Sequence, residues 1–272
     1  MMNRRFGRSA NSEPDLSIVI PCFNEEESLA HMAGDLQPTL RALAATQSVE
    51  LVLVDDGSAD ATWERMTALK AAKAFEPARV LLLRHQQNKG LGAALRTGLG
   101  GAHGKIVVTT DSDSTYRFTE IASLLACMTP DVDIVTASPY HPKGAVAGVP
   151  KYRLVLSRGS SLIYRLMVSW HVHTYTALFR AYRSEVVRDV PFEADGYLGV
   201  AEVLVNAMLL GYRVGEYPTT LHARTIGTSK AKLLRTIVAH IRFQSTILLR
   251  RLRIGRTPRR KPISPNFSVS RG

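Results

Sequence analysis

Short apolar runs alternate with amphipathic stretches along the first half of the chain. Five runs rich in valine, isoleucine and leucine predict β-strands over 16–21, 51–54, 79–83, 105–110 and 133–137. The intervening stretches predict helices over 25–45, 60–74, 90–98 and 119–128. Strands that alternate with helices indicate βαβ units, so we expect an α/β fold with a mostly parallel, buried sheet.

The second half of the chain is less regular. Glycine and proline make 138–150 a predicted loop, which we expect to act as a mobile flap. Further helices are predicted over 151–170 and 197–210, and further strands over 174–181 and 213–217. These elements assign one globular domain to 15–230, preceded by a flexible segment at 1–14.

The C-terminal region combines an amphipathic pattern with positive charge. Leucine, valine and isoleucine recur about every 3.5 residues over 233–252, which predicts an amphipathic helix spanning 231–254. Proline, serine and arginine dominate 255–272 and predict a disordered basic tail. The apolar stripe comprises Leu234, Val238, Ile241, Leu248 and Leu252.

Most of the net charge of +12 lies in this C-terminal region. Residues 229–272 hold twelve Lys and Arg and no Asp or Glu, so the first 228 residues are neutral overall. Such an arm is expected to bind an anionic surface. The helix either packs on the domain with a solvated basic face or lies on anionic lipid, with 250–261 as a basic anchor. We expect no nucleic-acid partner, because no aromatic residues are interleaved with the basic ones.

Cysteine content and hydropathy bear on the cellular compartment. Two cysteines, Cys22 and Cys127, cannot form a disulfide scaffold, which is typical of a reducing compartment. The first 13 residues are polar, and the chain has no uncharged apolar run of 18 residues. We expect a cytoplasmic protein that binds peripherally to the inner face of the cell membrane. Self-association into a homo-oligomer is left open.

Polar residues follow three of the predicted strands. Residues 21–24, Asp55 with Asp56, and Asp111 with Asp113 each come directly after an apolar run. Ligands of parallel sheets bind beyond the carboxyl ends of the strands. We therefore expect these three clusters to form one site.

Asp111-Ser112-Asp113 is a candidate metal site. Two carboxylates separated by one residue can share Mg²⁺ or Mn²⁺, which takes its other ligands from phosphates and water. The alternative is a plain turn, because Asp and Ser are common turn residues. The second acidic cluster at a neighbouring strand end favours the metal interpretation.

Two glycine-containing segments open helices after strands. In 55–60, Asp55 is a candidate ligand for a nucleoside, whereas Asp60 is placed to cap a helix. Residues 88–92 resemble a phosphate-binding glycine loop, but close backbone packing explains them equally well. The segment lacks the spacing of a dinucleotide fingerprint or a P-loop, which argues against a dehydrogenase or a P-loop NTPase.

Four segments together resemble glycosyltransferase family 2, the inverting enzymes of the GT-A fold. They are Ile-Val-Ile-Pro-Cys-Phe-Asn-Glu-Glu (18–26), Val-Asp-Asp-Gly-Ser-Ala-Asp-Ala-Thr (54–62), Asn-Lys-Gly-Leu-Gly-Ala-Ala (88–94) and Asp-Ser-Asp (111–113). The second half is similar to the polyprenyl-phosphate branch of that family, typified by dolichyl-phosphate mannosyltransferase. The matching elements are Arg153…Ser157, Phe-Arg-Ala-Tyr-Arg (179–183), Glu202, and Arg224 followed by Gly227-Thr228-Ser229-Lys230.

The resemblance implies a nucleotide-sugar donor, a lipid-phosphate acceptor, and Mg²⁺ or Mn²⁺ as cofactor. The residues that would hold the donor nucleotide are Pro21, Asn24, Glu25, Asp55, Asp56, Lys89, Asp111 and Ser112. The metal would bind Asp111 and Asp113, while Arg224, Ser229 and Lys230 would clamp the phosphates. The residues that would bind the acceptor phosphate are Arg153, Ser157 and Arg180. The residues implied to take part in catalysis are Asp111, Asp113, Glu202 and Lys230.

The acceptor decides whether a general base is needed. A phosphate monoester is already ionised at neutral pH, whereas a hydroxyl of a glycan or glycolipid needs a carboxylate base. Glu202 is the candidate for that role, and its alternative role is an ion pair with an arginine. A non-catalytic membrane-binding protein on the same scaffold is the further alternative.

Several positions depart from the family pattern. Ala177 and Leu178 replace a Ser-Gly pair, Thr174 replaces an aspartate, and Thr115-Tyr116 replaces residues after the second metal aspartate. These changes concern the sugar and the acceptor more than the reaction class.

The histidines show no spacing typical of a metal site. His171 and His173 lie two residues apart near the expected acceptor side and are kept only as candidates.

Overall fold

The computed structural model describes residues 13–223 and 233–253, without the side chains of Leu233 and of residues 250–253. The strands in this range are β1 (Leu16–Cys22), β2 (Val49–Asp55), β3 (Arg79–Arg84), β4 (Ile106–Thr109), β5 (Ile134–Ser138), β6 (Ala145–Ala147), β7 (Arg180–Arg183), β8 (Val214–Pro218) and β9 (Thr220–His222). The helices are α1 (Leu29–Ala44), α2 (Thr62–Ala71), α3 (Leu91–Gly101), α4 (Ile121–Ala126), α5 (Lys151–Met167), α6 (Ser184–Asp189), α7 (Leu198–Leu209) and α8 (Leu233–Arg253). The segment predicted to be flexible, 1–14, is described only at residues 13 and 14, and the basic tail predicted over 255–272 lies outside the described residues.

The main sheet has seven strands in the order β3-β2-β1-β4-β7-β5-β8. The strand β1 pairs in parallel with β2 and β4, β2 with β3, and β5 with β8. The strand β7 runs antiparallel between β4 and β5. The expected α/β fold with a mostly parallel sheet is confirmed.

The predicted strand over 174–181 is wrong in its first part, because β7 begins only at Arg180. The preceding residues satisfy their backbone groups with side chains. The amide of Thr174 donates to Glu216 Oε1 at 3.3 Å, and that of Tyr175 donates to Ser161 Oγ at 3.2 Å. The apolar side chains of Ala177 and Leu178 are buried without strand pairing. Their pattern therefore reflects burial alone.

The start of α1 and the predicted flap at 138–150 also differ from the prediction. The helix α1 begins at Leu29, because Glu25–Ser28 forms a turn in which the Ser28 hydroxyl donates to the Glu25 carboxylate. The predicted flap at 138–150 contains β6, which pairs in parallel with β9. The expectation that this segment moves stays a prediction.

The helix α8 packs through a face different from its predicted stripe. His240, Gln244 and Ile247 are buried against the domain. The side chains of Leu234, Val238, Ile241 and Leu248 are exposed, with Leu234 at 80%. Across the described residues, no helix combines the length and apolar content needed to cross a bilayer.

The helix α3 lies directly on the sheet at a glycine. A Cβ atom on Gly98 would stand 2.4 Å from Val19 Cγ1 and 3.0 Å from Val54 Cγ2, closer than carbon atoms pack. Val19 and Val54 are fully buried in β1 and β2. The absence of a side chain at residue 98 therefore sets the distance between this helix and two strands that carry site residues.

We expect Gly98→Ala to lower the free energy of unfolding by about 1–3 kcal/mol, because the added methyl group overpacks the core. The matched control is Gly100→Ala in the same helix, where a Cβ meets no atom within 4 Å. That change should stabilise the protein by up to about 1 kcal/mol, since alanine favours helix over glycine. Urea unfolding of both variants measures the difference, and equal effects would contradict the packing argument.

Candidate active site

A cavity of about 610 Å³ collects residues from the carboxyl ends of three parallel strands. Its wall includes Pro21–Phe23 at the end of β1, Asp56 after β2 and Asp111–Asp113 after β4. The helices α5 and α8 supply further parts of the wall. The predicted convergence of the strand ends at one site is confirmed.

The loops after β1 and β2 are bonded to each other. The amide of Asn24 donates to Ser58 Oγ, and its side-chain oxygen accepts from the amide of Ala59, both at 2.9 Å. The amide of Glu25 donates to Thr62 Oγ1 at 2.7 Å. Asn24 adopts a positive φ of 53°, which brings its side chain to these partners. Glu25 lines the cavity, and Asn24 is not part of the described wall.

Asp55 and Asp56 are both buried but have different partners. Arg84 Nε lies 3.2 Å from Asp55 Oδ2 in an ion pair that lacks hydrogen-bond alignment. Asp55 Oδ1 accepts from the amide of Ser58 at 3.0 Å. Such partners offset the free-energy cost of burying a carboxylate completely. Within the described wall only Asp56 of the two reaches the cavity, so the nucleoside contact of Asp55 stays a prediction.

Asp56 organises the glycine-containing segment after β3. Its carboxylate accepts from the amides of Lys89 and Gly90, at 3.0 and 2.8 Å, and from Asn88 Nδ2 at 2.8 Å. On the other side it bonds to His85 Nδ1 at 2.7 Å. The carboxylate thus occupies donors that a phosphate would otherwise take.

Close backbone packing accounts for the glycines of this segment. A Cβ atom on Gly92 would meet the carbonyl oxygen of Ala194 at 2.0 Å, and one on Gly90 that of Asp195 at 2.5 Å. The amides of Gly92 and Ala93 donate to the carbonyl oxygen of Asp195. The packing interpretation is therefore the one the geometry supports. Lys89 is exposed and does not belong to the described cavity wall.

The two metal-site candidates lie on the cavity wall together with Ser112. Asp113 Oδ1 accepts from the amide of Thr115 at 3.1 Å and from its hydroxyl group. Tyr116 is buried against Phe179, with ring centroids 5.3 Å apart. Burial, and secondarily the Asp111 carboxylate, raise the pKa of Tyr116 well above its ordinary value. Thr115, one of the residues that depart from the family pattern, thus orients Asp113.

The three candidate acceptor-phosphate residues separate in the structure. Arg153 and Ser157 of α5 line the cavity, and Ser157 Oγ lies 2.6 Å from Thr176 Oγ1. Arg180 is fully buried and directs its donors to Thr136 Oγ1 and to the carbonyl oxygens of Val200 and Tyr175. Arg180 is not among the described residues that line the cavity. Its contacts give it a core role in place of the phosphate contact.

Glu202 makes no ion pair with an arginine among the described residues. Its Oε2 accepts from the amides of Glu193 and Ala194 at 3.1 and 2.8 Å. These amides belong to the segment that packs on Gly90 and Gly92. The carboxylate therefore holds a loop in place and does not reach the described cavity wall.

The sequence did not predict the contribution of α8 to the cavity. His240 lies on the wall, where its Nδ1 lies 2.9 Å from the Tyr164 hydroxyl oxygen. Burial lowers the pKa of His240 to about 4. Tyr140 also lines the cavity, with the Arg158 guanidinium 5.2 Å from its ring centroid. The sequence signal available for this contribution of α8 was the spacing of His240 relative to the apolar stripe. The remaining predicted residues, Arg224, Ser229 and Lys230, lie outside the described residues.

We expect Arg180→Lys to lower the free energy of unfolding by about 3 kcal/mol. The single nitrogen of lysine cannot reach three buried acceptors that lie around a guanidinium group. The matched variant is Arg153→Ala at an exposed position, for which the change should stay within about 0.5 kcal/mol. Urea unfolding measures both values. An Arg180→Lys variant as stable as the wild type would contradict the assignment of this arginine to the core.

Comparison with known proteins identifies the family of the chain. A family profile described as glycosyl transferase family 2 matches residues 17–190. Polyprenol monophosphomannose synthase of Mycolicibacterium smegmatis is 32% identical over 219 residues, which cover 78% of this chain and 79% of that protein. Dolichol-phosphate mannosyltransferase of Pyrococcus furiosus is 30% identical over 229 residues, which cover 84% of this chain and 62% of that protein.

A solved structure shows the same fold. Glucosyl-3-phosphoglycerate synthase from Mycobacterium tuberculosis, crystallised with Mn²⁺, UDP and glucosyl-3-phosphoglycerate, aligns with a TM-score of 0.62 at 23% identity. The alignment covers 89% of this chain and 81% of that chain. The same protein crystallised with Mg²⁺ and UDP aligns with a TM-score of 0.63 at 20% identity, over 85% and 79% of the two chains. With the profile and the two relatives, this shows that the chain belongs to glycosyltransferase family 2 and is a glycosyltransferase with the GT-A fold.

Proposed function

We propose that the protein transfers a sugar, with inversion, from a nucleotide-sugar donor to a polyprenyl phosphate. The observation that carries this proposal is the composition of the cavity. Carboxylates line it at the strand ends, and Leu154 and Ile163 of α5 and Ile237 and Ile241 of α8 also line it. The carboxylates suit a metal-bound nucleoside diphosphate, and the apolar side chains suit a lipid chain. The names of the two sequence relatives, both synthases of polyprenyl-phosphate mannose, support the same acceptor.

Asp111 and Asp113 are proposed to hold Mg²⁺ or Mn²⁺. Mg²⁺ in proteins binds one or two carboxylates and keeps phosphate oxygens and water as its other ligands. Two carboxylates on one cavity wall, one of them oriented by Thr115, fit that requirement. The ion would neutralise the charge that develops on the departing diphosphate. The structural relative contains Mn²⁺ or Mg²⁺ together with UDP, which supports this choice.

Arg153 and Ser157 are proposed to receive the acceptor phosphate. Both lie on the cavity wall, and an arginine side chain matches the geometry of a phosphate group. Because a phosphate monoester is already ionised at neutral pH, the reaction needs no carboxylate base. The engagement of Glu202 with two backbone amides is consistent with this requirement. The clamp of Arg224, Ser229 and Lys230 on the donor phosphates remains part of the proposal through the family resemblance.

The helices α5 and α8 are proposed to rest on an anionic membrane surface. Their exposed faces carry large apolar side chains, including Val155 at 69%, Leu166 at 66% and Leu234 at 80% exposed. Basic residues share the two helices, namely Lys151, Arg153, Arg158, Arg165, Arg235 and Arg242. Amphipathic helices with a basic polar face bind at the boundary between headgroups and acyl chains. This placement would bring the lipid acceptor to the apolar side of the cavity.

We expect Asp113→Asn to reduce transfer of labelled sugar to undecaprenyl phosphate at least about 100-fold, because an amide is a poorer ligand for a hard cation. Glu202→Gln should retain activity within about threefold, since glutamine keeps one oxygen for the two amides. A panel of nucleotide sugars with Mn²⁺ and the lipid in detergent measures both effects.

Other outcomes of this assay point elsewhere. Loss of transfer in Glu202→Gln, with donor hydrolysis retained, would indicate a hydroxyl acceptor and a carboxylate base. Wild-type protein that binds no nucleotide sugar in the presence of Mn²⁺ would contradict the proposed reaction.

We expect Leu234→Ser to weaken binding to vesicles containing phosphatidylserine about tenfold. Insertion of one leucine side chain into the bilayer contributes about 1.5 kcal/mol, and the variant loses this contribution. The matched control is Leu210→Ser, an exposed leucine that follows α7. Raised salt should also weaken binding, because anionic headgroups attract the basic residues electrostatically. Vesicle sedimentation measures these effects, and equal binding by both variants would contradict the proposed surface.

A further inference from the structure

His141, His173 and Glu216 form a compact cluster that the proposed transfer reaction does not use. The residues come from three segments: the turn after β5, the connection between α5 and β7, and the middle of β8. One ligand atom from each residue lies within 4.8 Å of the others. We propose that this cluster is a second metal site, specific for a transition ion such as Zn²⁺.

The Glu216 carboxylate is held in one orientation. Its Oε1 accepts from Ser138 Oγ at 2.6 Å and from the amide of His173 at 2.7 Å. Its Oε2 accepts from His173 Nδ1 at 2.7 Å. The carboxylate side chain is 9% exposed and the imidazole 19% exposed. Both groups are therefore fixed before any ion arrives.

This hydrogen bond sets the tautomer of His173. Because a carboxylate only accepts, Nδ1 carries the proton and Nε2 of the neutral ring presents a lone pair. Histidines that bind metals usually donate their other ring nitrogen to a carboxylate in this way. Glu216 either orients His173 through this hydrogen bond or, once the metal ion has replaced the proton between the two groups, serves as a third ligand.

His141 completes the cluster. Its ring lies edge-on to that of His173, with centroids 5.1 Å apart and an interplanar angle of 74°. Its Nδ1 accepts from the amide of Lys143 at 3.1 Å within an exposed turn. Metal binding requires a shift of tautomer or ring that breaks this bond, and water can replace it because the turn is exposed. The cost is thus one solvent-accessible hydrogen bond.

The donor set distinguishes this site from the pair Asp111 and Asp113. Two imidazoles and a carboxylate suit Zn²⁺, Co²⁺ or Ni²⁺, whereas two carboxylates with phosphate and water suit Mg²⁺ and Mn²⁺. An ion here would join the turn after β5 to the segment before β7. Each of these segments lines the cavity, through Tyr140 and Thr174 respectively. The ion would therefore stiffen one part of the cavity wall.

The test uses untagged full-length protein stripped with EDTA and titrated with Co²⁺, without donor or lipid. The expected result is a visible absorption band typical of low-coordinate Co²⁺ with nitrogen ligands, abolished by one equivalent of Zn²⁺ but not by excess Mg²⁺. His141→Ala should weaken Co²⁺ binding by at least about 100-fold, more than the loss of a merely orienting group. Zn²⁺ should also raise the Tm of the wild type but not that of His141→Ala.

Two matched variants separate this site from others. His171→Ala removes an exposed histidine two residues from His173, and Asp113→Asn disables the carboxylate pair. Both should bind Co²⁺ as the wild type does, so the result is independent of the proposed transfer reaction. His141→Asn serves as a second variant if the alanine variant fails to fold. A wild type without the band, binding by both His141 variants that equals that of the wild type, or loss of binding only in Asp113→Asn would overturn the proposal.

Discussion

The parallel pairing of β1 with β2 and β4 is the constraint on which the site depends. These strands are buried along almost their whole length, so most of their side chains are apolar on both faces. The buried polar exceptions within β1 and β2, Ser17 and Glu50, bond to each other, and the other polar groups lie at or beyond the strand ends. Because parallel strands end at the same edge, the residues after them face one another. The helix α3 lies this close to the sheet because Gly98 has no side chain.

Buried carboxylates at this edge build the loops more than they face the cavity. Asp55 pairs with Arg84, and Asp56 gathers the amides of Lys89 and Gly90. Glu202 does the same for the amides of a facing loop. A carboxylate is well suited to this task, since it accepts several N–H groups that would otherwise be buried without partners. The acidic residues after β4, in contrast, lie on the cavity wall, where an ion can reach them.

The helices α5 and α8 add apolar side chains to the lining of the cavity. Tyr164 of α5 bonds to His240 of α8, and this contact joins the two helices beside the cavity. Apolar side chains of both helices face the cavity, while others, such as Leu166 and Leu234, remain exposed. A transferase that brings a water-soluble donor to a lipid acceptor needs both environments in one cavity. The pair of helices provides the apolar one.

The alternation of strands and helices, the convergence of the strand ends and the family of the chain all followed from the sequence. These features depend on short-range patterning and on residues adjacent in the chain, such as Asp111 and Asp113, which local sequence records directly. The contacts of single polar side chains did not follow. Arg180 and Glu202 were expected in the site. Arg180 is instead held in the core by groups up to 44 residues away, and Glu202 bonds to backbone amides eight and nine residues away. The cluster of His141, His173 and Glu216 was likewise invisible, because only the tertiary fold brings three separate segments together.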